Sequence, residues 1–202
     1  MRSPTIRPAT TDDLPAILDI FNQVIATSTA VYSLQPTTLS ERQVWYRSRV
    51  DTGFPVLVAT TPGRADGADG ADGAEGATGA DPTDRTSRAD SVVGFASFGD
   101  FRGAWPGYRY AVEHSVHVRE DCRGRGIGPA LVQALFPLAL AMGKHVMVGG
   151  VDAANHGSLR MHERLGFERV AHFREVGHKF GRWLDLVFLQ RFLDAPGAPR
   201  DA

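Results

Sequence analysis

The stretch Arg123-Gly124-Arg125-Gly126-Ile127-Gly128 decides how the rest of the chain is interpreted. Its three glycines stand at alternate positions, where a bare backbone can approach a ligand closely. The stretch follows a run typical of a strand and precedes a long apolar helix, so its amide groups and the helix dipole together favour an anion. Two arginines add positive charge. This stretch, called the glycine loop below, is therefore predicted to bind phosphate.

Two common phosphate-binding motifs do not fit the glycine loop. A P-loop ends in Gly-Lys-Ser/Thr, and no such triplet follows Gly128. A dinucleotide-binding fingerprint needs glycine at its sixth place, where Pro129 stands when Gly124 is counted first. That fingerprint also follows the first strand of its fold, whereas the glycine loop comes after several predicted strands. The phosphate must therefore belong to another kind of ligand.

Length and composition limit the classes of protein that the chain can represent. Its 202 residues are enough for one domain with a sizeable core. A formal net charge of -1 argues against a general nucleic-acid-binding protein, and the single cysteine, Cys122, excludes an internal disulfide framework. No run reaches the roughly twenty apolar residues of a membrane-spanning helix, and the N-terminus lacks the apolar core of a secretory signal. We therefore expect a cytoplasmic protein with no nucleic-acid or membrane partner. We do not expect Cys122 to act as a nucleophile.

Hydrophobic periodicity predicts strands and helices along most of the chain. Helices are predicted from Thr11 through Ile25, from Thr38 to Gly53, over about Ile127–Met142, and over Asn155–Leu165. Strands are predicted at Thr5–Pro8, Phe54–Thr60, Ser91–Phe98, Tyr110–Val118, His145–Val151, Phe167–Phe173 and Trp183–Phe192. Pro137 is expected to kink or split the third helix, and the polar stretch Val176–Gly181 is expected to separate the last two strands.

Residues 63–90 differ in composition from the rest of the chain. They are rich in Ala, Asp and Gly and almost lack large apolar residues, so they cannot bury enough surface to offset their ordering entropy. We predict that they form a disordered hairpin insertion between two strands. Residues 195–202 are predicted to be a frayed tail, which leaves residues 1–194 as one domain.

A second motif follows the glycine loop at a fixed distance. It reads Asn155-x-x-Ser158-x-x-x-His162-x-x-x-Gly166-Phe167, and it comes after the helix and strand that follow the loop. With this order, the sequence resembles the GNAT superfamily of acetyl-CoA-dependent N-acetyltransferases, whose Q/R-x-x-G-x-G/A signature matches Arg123 to Gly128. The resemblance implies a mixed α/β (α+β) fold, with a central sheet of about six or seven strands and about four flanking helices. It also implies that the glycine loop holds the pyrophosphate of acetyl-CoA, and that the helix carrying Asn155 and Ser158 flanks its pantetheine arm.

A narrower resemblance lies in four further stretches. They are Phe101-Arg102-Gly103, Tyr110-Ala111-Val112-Glu113-His114-Ser115-Val116-His117-Val118, Met161-His162-Glu163-Arg164-Leu165-Gly166-Phe167 and Gly181-Arg182-Trp183-Leu184-Asp185. These stretches are similar to the phosphinothricin and methionine sulfoximine/sulfone acetyltransferases. That subgroup acetylates the α-amine of small analogues of glutamate, so a small-molecule amine is the implied acceptor.

Glu113 is the candidate general base. An α-amine is largely protonated near neutral pH, so acetyl transfer needs a proton acceptor. Alternation along the strand places Glu113, Ser115 and His117 on one face and His114, Val116 and Val118 on the other. A mid-strand carboxylate is costly without a purpose, although an ion pair with Arg102 or Arg109 is the alternative.

The residues after Glu113 are assigned to acetyl-CoA. Val116 and Val118 are candidates to bond the pantetheine and the thioester carbonyl through free edge amides, and His117 lies between them. Many relatives have a tyrosine at the place of His162, so its imidazole is a candidate proton donor to the departing sulfur. Simple packing of His162 beside the helix is the equal alternative.

The acceptor pocket is assigned to the loop before this strand and to His114. Arg102 or Arg109 could bind a substrate carboxylate, Phe101, Trp105 and Tyr108 could form walls, and Gly103 belongs to the same stretch. Packing within the loop is the alternative. His156 and His162 lack metal-pair spacing, so no metal is predicted.

Other acceptors and other states of assembly stay open at this point. The amine could instead be a protein N-terminus or an antibiotic, and the chain could be an acyl-CoA-binding module without turnover. A polyamine is disfavoured by Arg102 and Arg109, because such an acceptor calls for an acidic groove. A homodimer is possible through the C-terminal strands, which carry Trp183, Leu186 and Phe188.

Overall fold

The fold is a mixed α/β arrangement of seven strands and four helices. A computed structural model describes residues 4–62, 91–103 and 105–194 of the chain. The strands form one sheet in the order β1-β2-β3-β4-β5-β7-β6, and the mixed sheet with its number of strands and helices confirms the predicted fold class. The predicted insertion at residues 63–90 and the predicted tail at 195–202 lie outside the described residues.

The elements follow the predicted order closely. The strands are β1 (Thr5–Pro8), β2 (Val56–Thr61), β3 (Ser91–Asp100), β4 (Ala111–Val118), β5 (Val146–Asp152), β6 (Glu168–Lys179) and β7 (Arg182–Phe192). The helices are α1 (Leu14–Thr27), α2 (Leu39–Asp51), α3 (Ile127–Ala141) and α4 (His156–Arg164). None of these helices is both long and apolar enough to cross a membrane within the described part of the chain.

The sheet separates in its middle, and this separation positions the site. Strands β4 and β5 are parallel, whereas every other neighbouring pair is antiparallel. Pairing between them covers only Ala111–Glu113 against Val146–Val148. Strand β4 continues to Val118 while paired with β3 alone. Beyond Glu113 the two strands therefore diverge, and a gap opens between β4 and β5.

Two apolar clusters fill the two faces of the sheet. On one face, α1 packs on β2 and β3 through Leu14, Ile17, Ile20, Val58 and Phe95, with Trp45 of α2 beside them. On the other face, α3 and α4 cover the sheet through a larger set that includes Leu131, Leu135, Met147, Leu159 and Phe167. Because apolar side chains are buried on both faces of the sheet, each residue of β4 is held with its side chain on a defined face.

The predicted alternation along β4 is confirmed. The His117 ring contacts Phe21 of α1 and Phe95 of β3, so it lies on the α1/α2 face. The His114 ring contacts His162 and Phe167, so it lies on the α3/α4 face. Adjacent histidines of one strand thus belong to opposite sides of the sheet.

Strand β6 corrects one prediction. The predicted separator Val176–Gly181 is mostly strand, because β6 extends to Lys179 and the connection to β7 is only Phe180-Gly181. Tertiary contacts hold this extension: the Lys179 ammonium donates to the carbonyl oxygens of Ser28 and Val31, at 2.8 and 2.7 Å. Local polarity could not reveal a contact with a segment about 150 residues away.

Helix α3 decides between the two outcomes predicted for Pro137, a kink or a split, because the helix is not split there. The helix runs from Ile127 to Ala141 with Pro137 inside it. Proline removes the hydrogen bond to the carbonyl four residues earlier, at Gln133. Both Pro137 and Gln133 are exposed, so water can bond that carbonyl and the helix continues.

Candidate active site

Two cavities meet where β4 and β5 diverge. One, of about 450 Å³, is lined by Glu113 and by residues of α1, α2 and β5, and we call it the Glu113 cavity. The other, of about 530 Å³, is lined by the glycine loop and α4, and we call it the loop cavity. They share five lining residues: Ala30, Val116, His117, Asn155 and Ser158. A ligand in one cavity can therefore reach a ligand in the other across Val116 and Ser158.

The glycine loop presents free amides to the loop cavity. Gly124 and Gly126 have φ angles of 74° and 79°, a left-handed conformation that side chains disfavour, and Gly126 caps the start of α3. Within the described residues, the amides from Gly124 to Gly128 donate no hydrogen bond. Unpaired amides at a helix start are favourable for binding an anion, so this geometry is compatible with the predicted phosphate contact.

The two arginines of the glycine loop are tied to its backbone. Arg123 Nε donates to the Val118 carbonyl at 3.1 Å, and an Arg125 Nη donates to the Asp121 carbonyl at 2.8 Å. Their positive charges are thereby held beside the free amides. This arrangement adds a fixed electrostatic attraction for phosphate.

The second motif forms the opposite wall of the loop cavity. The Asn155 side chain caps α4 by accepting a hydrogen bond from the Ser158 amide at 3.1 Å. A Cβ at Gly128 would lie only 3.2 Å from the Met161 sulfur, so α3 and α4 approach closely there. The two predicted motifs therefore line one cavity, although about thirty residues separate them.

The backbone of β4 offers donors to the gap. The Arg119 amide donates to the Val93 carbonyl at 2.9 Å, and Val118 pairs with Gly94. Because hydrogen-bonded pairs alternate along an antiparallel ladder, the amides of Val116 and Val118 point away from β3. They face the place where β5 has diverged, which is where the sequence predicts donors for the pantetheine and the thioester carbonyl.

Glu113 lies at the point where β4 and β5 separate. Its side chain is open to the cavity, and one carboxylate oxygen would lie 3.3 Å from a Cβ at Gly150. Desolvation by the surrounding walls raises the pKa of the Glu113 carboxyl above its ordinary value. No ion pair to Arg102, Arg109 or any other described residue is formed. The ion-pair alternative is therefore not realised.

His162 and His114 form a buried pair. The His162 Nδ1–H donates to the Ser158 carbonyl at 2.7 Å, which leaves its Nε2 to accept from His114 Nε2–H at 3.2 Å. Burial lowers the pKa of both rings, that of His114 to about 3, so both are neutral. His162 is 2% exposed, and both its nitrogens are engaged. This geometry favours the packing alternative over proton donation.

His117 lines both cavities. Burial, with the charges of Arg42 and Arg123 nearby, lowers its pKa to about 4 and keeps the ring neutral. Its ring centroid lies 5.5 Å from that of Phe21 and 5.1 Å from that of Phe95. The predicted contact of His117 with acetyl-CoA is compatible with this place, because the loop cavity touches it.

The predicted acceptor loop lines neither cavity. Phe101 packs against Tyr108 and Phe188, the Arg109 guanidinium lies over the Tyr110 ring at 4.4 Å, and Trp105 is exposed. Arg102 has a φ of 52°, a region that residues other than glycine seldom adopt. Contact of these residues and Gly103 with an acceptor stays a prediction. His114, by contrast, does line the Glu113 cavity.

Sequence reasoning missed Arg42, the basic side chain of the Glu113 cavity. It lies in the first turn of α2 and is buried against Phe21 and Trp45. One signal was available, because a cation in the first turn of a helix opposes the helix dipole. Asp152, also buried in the wall, was missed too, and it accepts a hydrogen bond from Thr29.

Similar proteins support the same interpretation. Residues 74–167 match the Acetyltransferase (GNAT) family. The L-methionine sulfoximine/L-methionine sulfone acetyltransferase of Pseudomonas paraeruginosa is 42% identical over 192 residues, which are 95% of this chain and 96% of that protein. The phosphinothricin N-acetyltransferase of Streptomyces coelicolor is 31% identical over 187 residues, which are 92% and 94% of the two chains.

A solved structure shares the fold. The structure of yncA from Salmonella typhimurium, solved with its cofactor acetyl-CoA, is 36% identical, covers 100% of both chains and has a TM-score of 0.82. Both the resemblance to the superfamily and the narrower one to the methionine sulfoximine/sulfone and phosphinothricin subgroup are confirmed by these relatives. The chain belongs to the GNAT family of acetyltransferases.

Proposed function

We propose that the protein transfers the acetyl group of acetyl-CoA to the α-amine of a small amino-acid analogue of the methionine sulfoximine/sulfone or phosphinothricin type. The relatives support this acceptor class, since they carry those names. The observation that carries the proposal is the meeting of two cavities beside Glu113. One offers anion-binding amides for the donor, and the other offers a cavity beside Glu113 for the acceptor.

The loop cavity fits acetyl-CoA. The unpaired amides of the glycine loop and the charges of Arg123 and Arg125 suit a pyrophosphate. The gap between β4 and β5, bordered by Val116 and Ser158, suits a narrow pantetheine chain. Bound there, acetyl-CoA supplies the thioester that is transferred.

In the proposed reaction Glu113 accepts a proton from the substrate ammonium. The freed amine attacks the thioester carbonyl, the carbon–nitrogen bond forms and the carbon–sulfur bond breaks. A second proton leaves the nitrogen as the sulfur departs and is taken up by the thiolate, which gives the amide and free coenzyme A. The amides of Val116 and Val118 stabilise the charge that develops on the carbonyl oxygen. Of the two alternatives for His162, proton donation to the sulfur and packing, its hydrogen bonds support packing, and the proposed reaction therefore returns the substrate's own proton to the sulfur.

We further propose a cytoplasmic homodimer. Acetyl-CoA is a cytoplasmic metabolite, which supports the compartment. The dimer would use the β6–β7 surface, where large apolar side chains are exposed: Val170, Phe173, Val176, Phe180 and Trp183. Exposed apolar groups beside an edge strand are typical of an interface. Sedimentation at increasing concentration, with Trp183→Lys as the comparison, tests the dimer.

Release of free thiol from acetyl-CoA measures the proposed activity. Methionine sulfone, methionine sulfoximine and phosphinothricin should each release thiol at a rate well above the rate without an acceptor. If none of the three compounds caused thiol release but an N-terminal peptide or an antibiotic amine did, the result would favour the alternative acceptors. Binding of acetyl-CoA without release for any amine would favour an acyl-CoA-binding module.

A further inference from the structure

Arg42 is a buried cation in the wall of the Glu113 cavity. Only 6% of its surface is exposed, and its guanidinium carbon lies 3.9 Å from the centre of the Phe21 ring and 4.8 Å from that of Trp45. The side chain lines the same cavity as Glu113. The two aromatic rings fix where the guanidinium lies and leave its edge for a ligand.

Apart from these two rings, the Arg42 guanidinium has no ionic or hydrogen-bonded partner among the residues that the structure describes. It takes part in no ion pair and no hydrogen bond there, and its Nε is buried without an acceptor. The nearest acidic neighbour in the chain, Glu41, bonds instead to Thr37 and Thr38 as part of the cap of α2. The N–H groups on its two terminal nitrogens therefore remain for something that enters the cavity.

Such an arrangement is costly for the fold. A buried charge without a hydrogen-bonded partner costs stability, and the first turn of a helix is the wrong end for a cation. Burial lowers the pKa of Arg42 to about 10, partly offset by Glu41, so the guanidinium still carries its charge at neutral pH. A buried cation that contributes no ion pair to the fold is typical of an anion-binding position.

We propose that Arg42 binds the α-carboxylate of the acceptor amino acid. The inference rests on the proposed function, because it assigns the acceptor's orientation in that reaction. The α-amine and the α-carboxylate share one carbon, so a carboxylate-binding group must line the cavity that holds the base. Arg42 meets this requirement, whereas Arg102 and Arg109 line neither cavity. The planar guanidinium can donate two parallel hydrogen bonds to a carboxylate.

The test combines one substitution with one change in the acceptor. Thiol release is measured for the wild-type protein and for Arg42→Gln, with methionine sulfone and with its carboxamide, which lacks the negative charge. The wild-type protein should prefer the acid over the amide at least about 30-fold in kcat/KM, and Arg42→Gln should lose most of that preference through a higher KM for the acid. Arg42→Lys keeps the charge but loses the planar guanidinium. Its preference for the acid should therefore lie between those of the wild-type protein and Arg42→Gln.

Arg49 provides the matched control. It lies on the same helix, is partly buried over Phe54 and Gly99 with an unpaired Nε, and lines neither cavity. Arg49→Gln should keep the preference for the acid even if it lowers the melting temperature. Arg102→Gln tests the competing carboxylate site and should also keep the preference.

Each outcome supports or overturns the assignment. The assignment would be overturned if Arg42→Gln lowered kcat/KM equally for the acid and the amide. It would also be overturned if only Arg102→Gln lost the preference for the acid. Should Arg42→Gln fail to fold, the wild-type preference and the Arg42→Lys values decide, and a wild-type protein indifferent to the carboxylate would overturn it. Wild-type protein that acetylates neither compound would defeat the proposed function itself, and the carboxylate assignment with it.

Discussion

Glu113 is the residue on which the chemistry depends. Desolvation raises the pKa of its carboxyl above the ordinary value of 4.5, because the walls of the cavity replace part of its water. A raised pKa keeps the group a stronger base once it has ionised. It also means that Glu113 loses its function at a higher pH than an exposed glutamate would.

The pH dependence of turnover follows from that shift. As the pH falls through the raised pKa, Glu113 becomes protonated and can no longer accept a proton, so the acid limb of kcat/KM for the wild-type protein should lie above pH 4.5. In Glu113→Gln, the pH dependence of kcat/KM that comes from ionisation of the substrate ammonium should persist. The decrease of kcat/KM that comes from protonation of Glu113 should be absent. Profiles of kcat/KM from pH 4 to 9 for both proteins check this, and superimposable shapes would contradict it.

The sequence revealed Glu113 but not Arg42. A carboxylate in the middle of an apolar strand breaks a local pattern, so it can be recognised without coordinates. Arg42 lies on a helix in which polar residues predominate, and its burial depends on Phe21 from a different helix. A contact between two helices is not encoded in the spacing of either one. For this reason the acceptor side of the site was predicted less completely than the donor side.

The glycine loop is the element whose conformation the sequence predicts best. Alternate glycines indicate positive φ angles, and Gly124 and Gly126 have them. A Cβ at Gly126 would meet no atom within 4 Å, so only backbone strain opposes a side chain there. Strand β6 was predicted less well because distant contacts decide where it ends, as Lys179 illustrates, whereas the bounds of helix α3 agree closely with the prediction.

Gly126→Ala should therefore show the effect of backbone strain alone, because the added methyl group meets no neighbouring atom. The substitution should cost about 1–2 kcal/mol of unfolding free energy, the penalty for a left-handed residue with a side chain. It should also weaken acetyl-CoA binding, because relief of the strain moves the amides of the loop. Chemical unfolding and calorimetric titration measure the two effects. An unchanged affinity together with an unchanged stability would show that the positive φ is not needed.

At the scale of the whole molecule, the divergence of β4 and β5 makes one site out of distant segments. Residues from α1, α2, β4, β5 and α4 line the Glu113 cavity. The mixed sheet and its approximate number of strands could be predicted from the resemblance, but the length of the β4–β5 pairing could not, because it depends on register between strands about thirty residues apart. The size of the gap and the two cavities are therefore known only from the structure.

Buried neutral histidines make the fold sensitive to acid. The pKa of His117 is lowered to about 4 and that of His114 to about 3, from 6.5. Between about pH 6.5 and pH 4 the unfolded chain binds these protons and the folded chain does not, so stability falls as the pH falls. Each histidine contributes a slope of about 1.4 kcal/mol per pH unit.

His117→Phe should remove the contribution of one histidine to the dependence of unfolding free energy on pH. Urea unfolding at several pH values from 7 to 4.5 measures the free energy of unfolding of both proteins. Compared with the wild-type protein, the variant should gain relative stability as the pH falls, by about 1.4 kcal/mol per unit below pH 6. Parallel curves for the two proteins would show that His117 is not held neutral.

The separation of donor site and base is the central claim, and Glu113→Gln tests it most directly. Acetyl-CoA affinity and thiol release with methionine sulfone should be measured on the same preparations of wild-type and variant protein. The variant should bind acetyl-CoA with a Kd within about twofold of the wild-type value, because the loop cavity is not lined by Glu113. Its kcat/KM at pH 7 should fall at least about 100-fold, the usual contribution of a general base. Turnover close to the wild-type rate would contradict the assignment of Glu113, and loss of acetyl-CoA binding would contradict the separation of the two cavities.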